Sequence, residues 1–237
     1  MNKLTYSLCA AFAAATLCAA EAAPTLESGG TDWASRLRVS ANGFGRFGTK
    51  GSIDGVGRDR GELWGMGLDV QFNLLPKERF NLWLGVGTSY VPEQELCTLD
   101  RTESAYGATG STHEKLEVES YDFRVMLIPE YKVCDALALG LRLGVGVGHT
   151  KVKESWTQTL SYAGDTFGAG GTNENSDTSL IGIVGLQATW NVTDHFGLFA
   201  YADGHFGADT DIEAAGAKIG SVDGTSFEAG IGLHWVF

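Results

Sequence analysis

The sequence predicts an all-β fold: an eight-stranded antiparallel up-and-down transmembrane β-barrel. Three observations predict it. Segments that alternate strictly between apolar and polar residues recur along the chain, and that is the period of a strand with two unlike faces. Glycine supplies 33 of 237 residues, about twice the usual share of ~7%, and it gathers on the face opposite the aliphatics. The connections alternate between short turns and long polar segments, as they do in barrels that cross a membrane.

The strands follow in order. "SRLRVSANGF" (35–44) sets Leu37, Val39 and Ala41 against Arg36, Arg38, Ser40 and Asn42. "LWGMGLDVQFNL" (63–74) sets Trp64, Met66, Leu68, Val70, Phe72 and Leu74 against Gly65, Gly67, Asp69, Gln71 and Asn73. "FNLWLGVGTSY" (80–90) opposes Leu82, Leu84 and Val86 to Gly85, Gly87 and Ser89. "YDFRVMLIPEY" (121–131) opposes Tyr121, Phe123, Val125 and Leu127 to Asp122, Arg124 and Glu130. "LALGLRLGVGVG" (137–148) alternates Leu or Val with Gly and Arg142. "LIGIVGLQATW" (180–190) and "FGLFAYADGHF" (196–206) alternate less cleanly. The eighth strand, 226–237, closes on "FEAGIGLHWVF".

"LPKER" (75–79), "KVCDA" (132–136) and "NVTDH" (191–195) are tight turns rich in turn-forming residues. The other connections, about 45–62, 91–118, 150–178 and 207–224, are expected to be long polar loops. A strand surface that faces water is normally rich in Thr, Lys and Glu rather than Gly. A narrow eight-stranded barrel has little interior room, so the glycine-rich face belongs inside and the aliphatic face outside, in lipid. Aromatics favour the membrane–water interface. Trp33, Phe72, Phe80, Tyr131, Trp190, Phe196, Trp235 and Phe237 fall near the short-turn end, and Trp64, Tyr90 and Tyr121 near the other.

The chain start, "MNKLTYSLCAAFAAATLCAAEAAPTLESGG", has a basic residue, an Ala-rich apolar run and Ala20-Glu21-Ala22. That is the form of a secretory signal peptide over 1–22, with the barrel domain over 23–237. Export leaves Cys97 and Cys134. Cys97 falls in a long loop and Cys134 in a short turn, at opposite ends of an apolar band ~25 Å tall, so no bridge is expected between them. The formal charge of −12 argues against a nucleic-acid partner.

The leader, the eight alternating strands, the turn "NVTDHFGLFA" (191–200) and the end "GIGLHWVF" (230–237) resemble the small bacterial outer-membrane β-barrel proteins, such as the OmpA transmembrane domain, OmpX and the opacity-type surface antigens. The resemblance implies location in the bacterial outer membrane among outer-membrane lipid and lipopolysaccharide. It implies an assembly signal at Trp235 and Phe237 read by the barrel-assembly machinery. It also implies a structural or surface-interaction role, with host or envelope ligands met by the long extracellular loops. No second, peptidoglycan-binding domain follows the barrel pattern.

On the inward face, Arg38 and Asp69 fall at similar heights on neighbouring strands, and Arg142 and Glu130 do likewise. Arg124, Asp203, Glu228 and His234 share that face. Charges there are expected to pair and plug the lumen, because unpaired ones are costly. A narrow porin-like channel for ions or small solutes is the alternative, and a secreted soluble β-sandwich binding protein is a third reading. "GFGRFG" (43–48) has the spacing of a dinucleotide loop but opens no helix. His113, His149, Asp209 and Asp211 near the outer rim form no triad spacing. No catalytic residue, cofactor or metal site is expected.

Overall fold

The computed structural model describes residues 36–53, 56–214 and 217–237. The leader, Trp33, Cys9 and Cys18 lie outside the described residues. Ten strands follow in order: β1 (Leu37–Ile53), β2 (Val56–Asn73), β3 (Phe80–Ala105), β4 (Ala108–Lys132), β5 (Leu137–Tyr162), β6 (Asp165–Asn191), β7 (Phe196–Gly207), β8 (Thr210–Ala214), β9 (Ala217–Val222) and β10 (Ser226–Val236). From β1 to β7 each strand pairs antiparallel with the next; β7 pairs with β10, and β10 closes the ring on β1. The ring therefore has eight strands, as the alternation predicts. Closure leaves no edge in the band where strands meet on both sides.

The faces also point as predicted. On β5, Leu139, Leu141, Leu143, Val145 and Val147 are exposed, while the interleaved Ala138, Gly140 and Arg142 are buried. Val145 is 68% exposed and Arg142 0%, which in a water-soluble core would be reversed. β2, β4 and β10 show the same order, with Met66, Phe123 and Ile231 outside and Asp69, Arg124 and Glu228 inside. The outward aliphatics share no common core, and the strands close into one ring rather than two stacked sheets, so the sandwich is excluded. Trp190, Trp235 and Phe237 are exposed at the short-turn end, Trp64 and Tyr121 at the other. The Phe237 amide donates to the Leu37 carbonyl at 3.0 Å, so the last residue is tied to the first strand of the ring.

The long connections depart from expectation. Segments 45–53 and 56–62, 91–118 and 150–178 are continuations of β1–β2, β3–β4 and β5–β6 rather than long loops. β3 and β4 turn at Tyr106 (φ 51°) and Gly107 (φ 79°), β5 and β6 at Ala163 (φ 52°) and Gly164 (φ 93°). Two successive left-handed residues make the two-residue turn whose twist matches paired strands. The physical reason for the missed strands is solvent. Beyond the bilayer both faces of a ribbon meet water, so Ser, Thr and Gly fill either face and the apolar period fades while backbone pairing persists. The segment 207–224 holds the β8–β9 hairpin, and β9 pairs with the end of β1 at Gly51↔Val222.

Irregularities between Val91 and Gln94 and between Glu95 and Cys97 shift the β3 register. Pro92, which has no amide hydrogen to give, sits within the first of them. The shift turns Leu96 and Leu99 inward, where both are buried. Leu96 joins Leu63, Val91, Leu116, Val118, Val152, Ile212 and Val222 in an apolar cluster that fills the barrel at the long-hairpin end.

Cys97 lies on β3 beyond these shifts and Cys134 in the β4–β5 turn, and neither is in a disulfide. Thiol labelling in denaturant without reductant is expected to modify both. A monomer in which the two protect each other would contradict the strand order.

Candidate functional site

Strand parity builds the candidate site. Residues 38, 40, 42, 44 and 46 of β1 point inward, as do the even residues 122 to 130 of β4, and the ring brings these faces together across a narrow lumen. Large inward side chains need thin neighbours. Asp69 lies directly across from Gly87, and Asp203 across from Gly185. A Cβ at either glycine would overlap the carboxylate opposite. Glycine on the inner wall is thus the space that the buried carboxylates occupy.

At the short-turn end, Arg38 donates from Nη1 and Nη2 to the two carboxylate oxygens of Glu130, both at 3.2 Å. Two parallel charge-assisted bonds make this a strong and directional pair. Trp83 Nε1 (3.3 Å) and Thr189 Oγ1 (3.1 Å) donate to the same carboxylate, and the Arg38 guanidinium lies 3.9 Å over the Trp83 ring. Next to it, Arg142 Nε donates to both oxygens of Asp203 at 3.0 and 2.9 Å, and Nη1 to Gln187 Oε1 at 2.7 Å. Arg124 lies 3.4 Å from Asp69 and 3.5 Å from Glu228.

Towards the long-hairpin end, Arg46 Nη2 donates to Glu228 Oε2 at 2.9 Å and lies 3.4 Å from Asp122 Oδ2. Tyr201 donates to Glu228 Oε1 at 2.9 Å, and Ser89 donates to Asp122. The His205 ring nitrogen Nε2 is 3.7 Å from Glu228. Asp203, His205 and Glu228 place ligand-type atoms within 4.8 Å of one another. Arg142 and Arg46 already engage the two carboxylates, and their positive charge opposes a cation there. The group is therefore a salt-bridge cluster.

The structure buries Arg38, Asp69, Arg124, Glu130, Arg142, Asp203 and Glu228, and it changes two partners. Arg38 meets Glu130 rather than Asp69, because Asp69 stands across from Ser40 while Arg38 stands across from Gln71 and reaches over the lumen. Arg142 meets Asp203 rather than Glu130, since Glu130 stands across from Gly140 and Arg142 extends away from it. Sequence reasoning missed Arg46 and Asp122 as members. The even-number parity of 38–42 continues to Arg46, but the glycines of "GFGRFG" disguise that stretch as the start of a loop.

On the outer surface, above the aliphatic band, a ladder of charges crosses four strands, β3 to β6. Lys115 is 2.6 Å from Glu117, Lys153 is 3.1 Å from Glu117 and 3.0 Å from Glu93, and Lys151 is 3.0 Å from Glu174. The hydrogen bond from Lys115, then that from Lys153, holds the Glu117 carboxyl below its ordinary pKa. The bond from Thr98, helped by Lys115, lowers Glu95. Exposed pairs of this kind contribute little each and are screened by salt.

No protein-family model matches the chain, and no curated protein matches it by sequence. Solved structures of similar fold exist. Neisserial surface protein A (NspA) is 10% identical, with 85% of this chain and 97% of that one covered and a TM-score of 0.46. Ail, the attachment invasion locus protein of Yersinia pestis, is 15% identical, with 84% and 98% covered and a TM-score of 0.38. The outer membrane protease OmpT of Escherichia coli is 10% identical, with 85% and 97% covered and a TM-score of 0.41.

Two outcomes follow from the site. Replacing Arg124 with Met leaves Asp69 without its arginine and Glu228 with one arginine fewer, at an expected cost of about 3–5 kcal/mol. Urea unfolding in detergent reads that loss, and pairing the change with Asp69→Asn should recover part of it. In the ladder, a lowered carboxylate pKa contributes stability above its unfolded value of ~4.3 and loses it as pH falls through the folded value. Hydrogen-exchange protection of 93–99 and 114–118 should stay level between pH 6 and 8 and drop below about pH 4, more so at low salt.

Closed strand pairing, outward aliphatics and aromatic ends, rather than likeness of sequence, identify the chain as a small closed β-barrel with the two-sided wall of a membrane-spanning one.

Proposed function

We propose that the chain is an integral outer-membrane protein whose sealed barrel serves as an anchor and whose work is surface interaction through the hairpins at its long end. One observation carries this reading. A strand needs about 9–11 residues to cross a bilayer, yet β3, β4, β5 and β6 run for 26, 25, 26 and 27 residues. More than half of each therefore stands clear of the membrane. β2 pairs with β3 no further than Tyr90, and β7 pairs with β6 no further than Ile181. Beyond those points the four strands pair only with one another, and past the apolar cluster at the barrel's end they project as a blade of two adjacent hairpins.

The two edges of the blade differ. The β3 edge is blunted by Pro92 and two register shifts, and Gln94 occupies the backbone groups of Trp64 with bonds of 2.9 and 2.6 Å. Asp100, Arg101 and Glu103 follow on the same strand. β6 carries glycine and threonine over 166–172. Past Leu96, Leu116 and Val152, which pack in the apolar cluster, the ribbon has no part in holding the barrel, and exposed segments on a rigid scaffold are where recognition is commonly placed.

The lumen supports an anchor rather than a pore. Paired charges fill its middle, and the apolar cluster around Leu63, Leu116, Val152 and Ile212 fills the end below the blade. The signal peptide over 1–22 supplies export in this reading. Trp235 and Phe237, exposed at the short-turn end, supply the signal for the barrel-assembly machinery, and lipopolysaccharide surrounds the outer half of the wall.

Planar-bilayer recording of the purified protein tests the seal: a silent bilayer is expected, and steady large single-channel steps would favour the narrow-channel reading. Shortening the blade by removing 98–112 and 156–172 should leave heat-modifiable migration in gels intact while abolishing the binding of cells to whatever surface the full chain recognises.

A further inference from the structure

The two faces of the blade tip are chemically unlike. On one, Ser104, Thr109, Ser161 and Thr166 form a cross-strand row, with Ser111 and Thr159 in the next, and hydroxyl contacts of 2.5 to 3.2 Å link neighbours along them. On the other, register places Tyr162 across from Ala108, Leu160 between Gly110 and Phe167, and Trp156 across from Gly171. Tyr162, Leu160 and Phe167 are 56%, 47% and 63% exposed. Trp156 is half-buried, and its indole lies against Gly171, where a Cβ would come within 2.9–3.0 Å of the ring. Large aromatics held in water without cover mark an interaction surface.

From these observations we infer that this face is a stacking platform for a neutral oligosaccharide. The inference rests on the blade being the extracellular interaction element. Three features select the occupant. The platform is flat, because Ala108, Gly110, Ala169 and Gly171 raise nothing between the rings. The aromatics are stepped along it: same-face positions on a strand are ~6.6 Å apart, so Tyr162 and Trp156 bracket about 20 Å, with Phe167 between them. Separate ring faces in a line suit the C–H faces of successive sugar rings, whereas an apolar protein surface would call for one continuous patch. The polar groups beside them are Gln158, Asn173, Glu103 and Asp165, amides and carboxylates that accept from sugar hydroxyls, with Arg101 in the same cross-strand row as Gln158. The carboxylates of this face, Glu103 and Asp165 with Glu114 and Glu154 nearer the barrel, outweigh Arg101, and on a chain of net charge −12 they repel sulfated and sialylated chains.

The test uses the full chain in nanodiscs, titrated by calorimetry with cellotetraose, N-acetylchitotetraose and a heparin octasaccharide. At least one neutral tetrasaccharide is expected to bind. Trp156→Ala and Phe167→Ala should each weaken it at least tenfold, while Thr159→Ala on the opposite face leaves it unchanged. Heat-modifiable migration confirms that each variant is folded. No binding of either neutral sugar, binding indifferent to Trp156 and Phe167, or tighter binding of heparin would each overturn the proposal. A peptide tag inserted at Gly107 and detected by antibody on intact cells separates the two levels. A visible tag with no neutral sugar bound leaves the blade reading standing and removes the saccharide; an invisible tag removes both.

Discussion

Inside hydrocarbon no water is present to take a backbone hydrogen bond, so every amide and carbonyl there must find its partner within the protein. The rest of this structure follows from that constraint. It forces the sheet to close, which is why β10 returns to β1 over ten residue pairs from Arg38↔Val236 to Phe47↔Phe227. It makes the wall two-sided, with one face in contact with acyl chains and the other confined in a tube only eight strands around. The aliphatics of β5 lie outside because nothing inside is large enough to receive them.

Confinement then dictates the chemistry of the lumen. A narrow tube cannot be left hollow without losing packing contacts, and it cannot hold bulky residues on every strand. Glycine opposite a long polar side chain answers both demands, as at Gly87 with Asp69 and Gly185 with Asp203. Once charged groups are inside, mutual pairing and hydrogen bonds from neighbours such as Trp83, Thr189 and Tyr201 must compensate them, because the desolvation cost of each ion is several kcal/mol. The result reaches across the tube rather than along a strand. Arg38 on β1 meets Glu130 on β4, and Arg142 on β5 meets Asp203 on β7. These pairs cross-link strands that share no backbone bonds.

Where the bilayer ends, the constraint is lifted, and the same strands change character without ending. On β4 the outward series runs from Phe123 and Tyr121, through Glu119 and Glu117, to Lys115 and His113. The ladder of Lys and Glu marks the crossing, where charge becomes tolerable on the outer face. Beyond it two hairpins continue as a blade, braced at the base by the β8–β9 hairpin and the apolar cluster that includes Ile212 and Val222. The tip is free to carry aromatics on one face and hydroxyls on the other, since neither face has a structural duty.

By itself the sequence determined the barrel: eight alternating segments, three tight turns, and the placement of leucine outside and glycine inside. Those are local properties, because strand parity and turn chemistry are written residue by residue. It also determined which residues face the lumen, including Arg38, Arg124, Arg142 and Glu228. Three things only the tertiary structure decided. The partners of the lumen charges depend on which strands face each other across the tube, and alternation within a strand carries no information about that distance. The membership of Arg46 depends on where β1 stops, which its glycines conceal. The long polar segments proved to be strands because pairing with a neighbour, not an apolar period, is what sustains a ribbon once water bathes both of its sides.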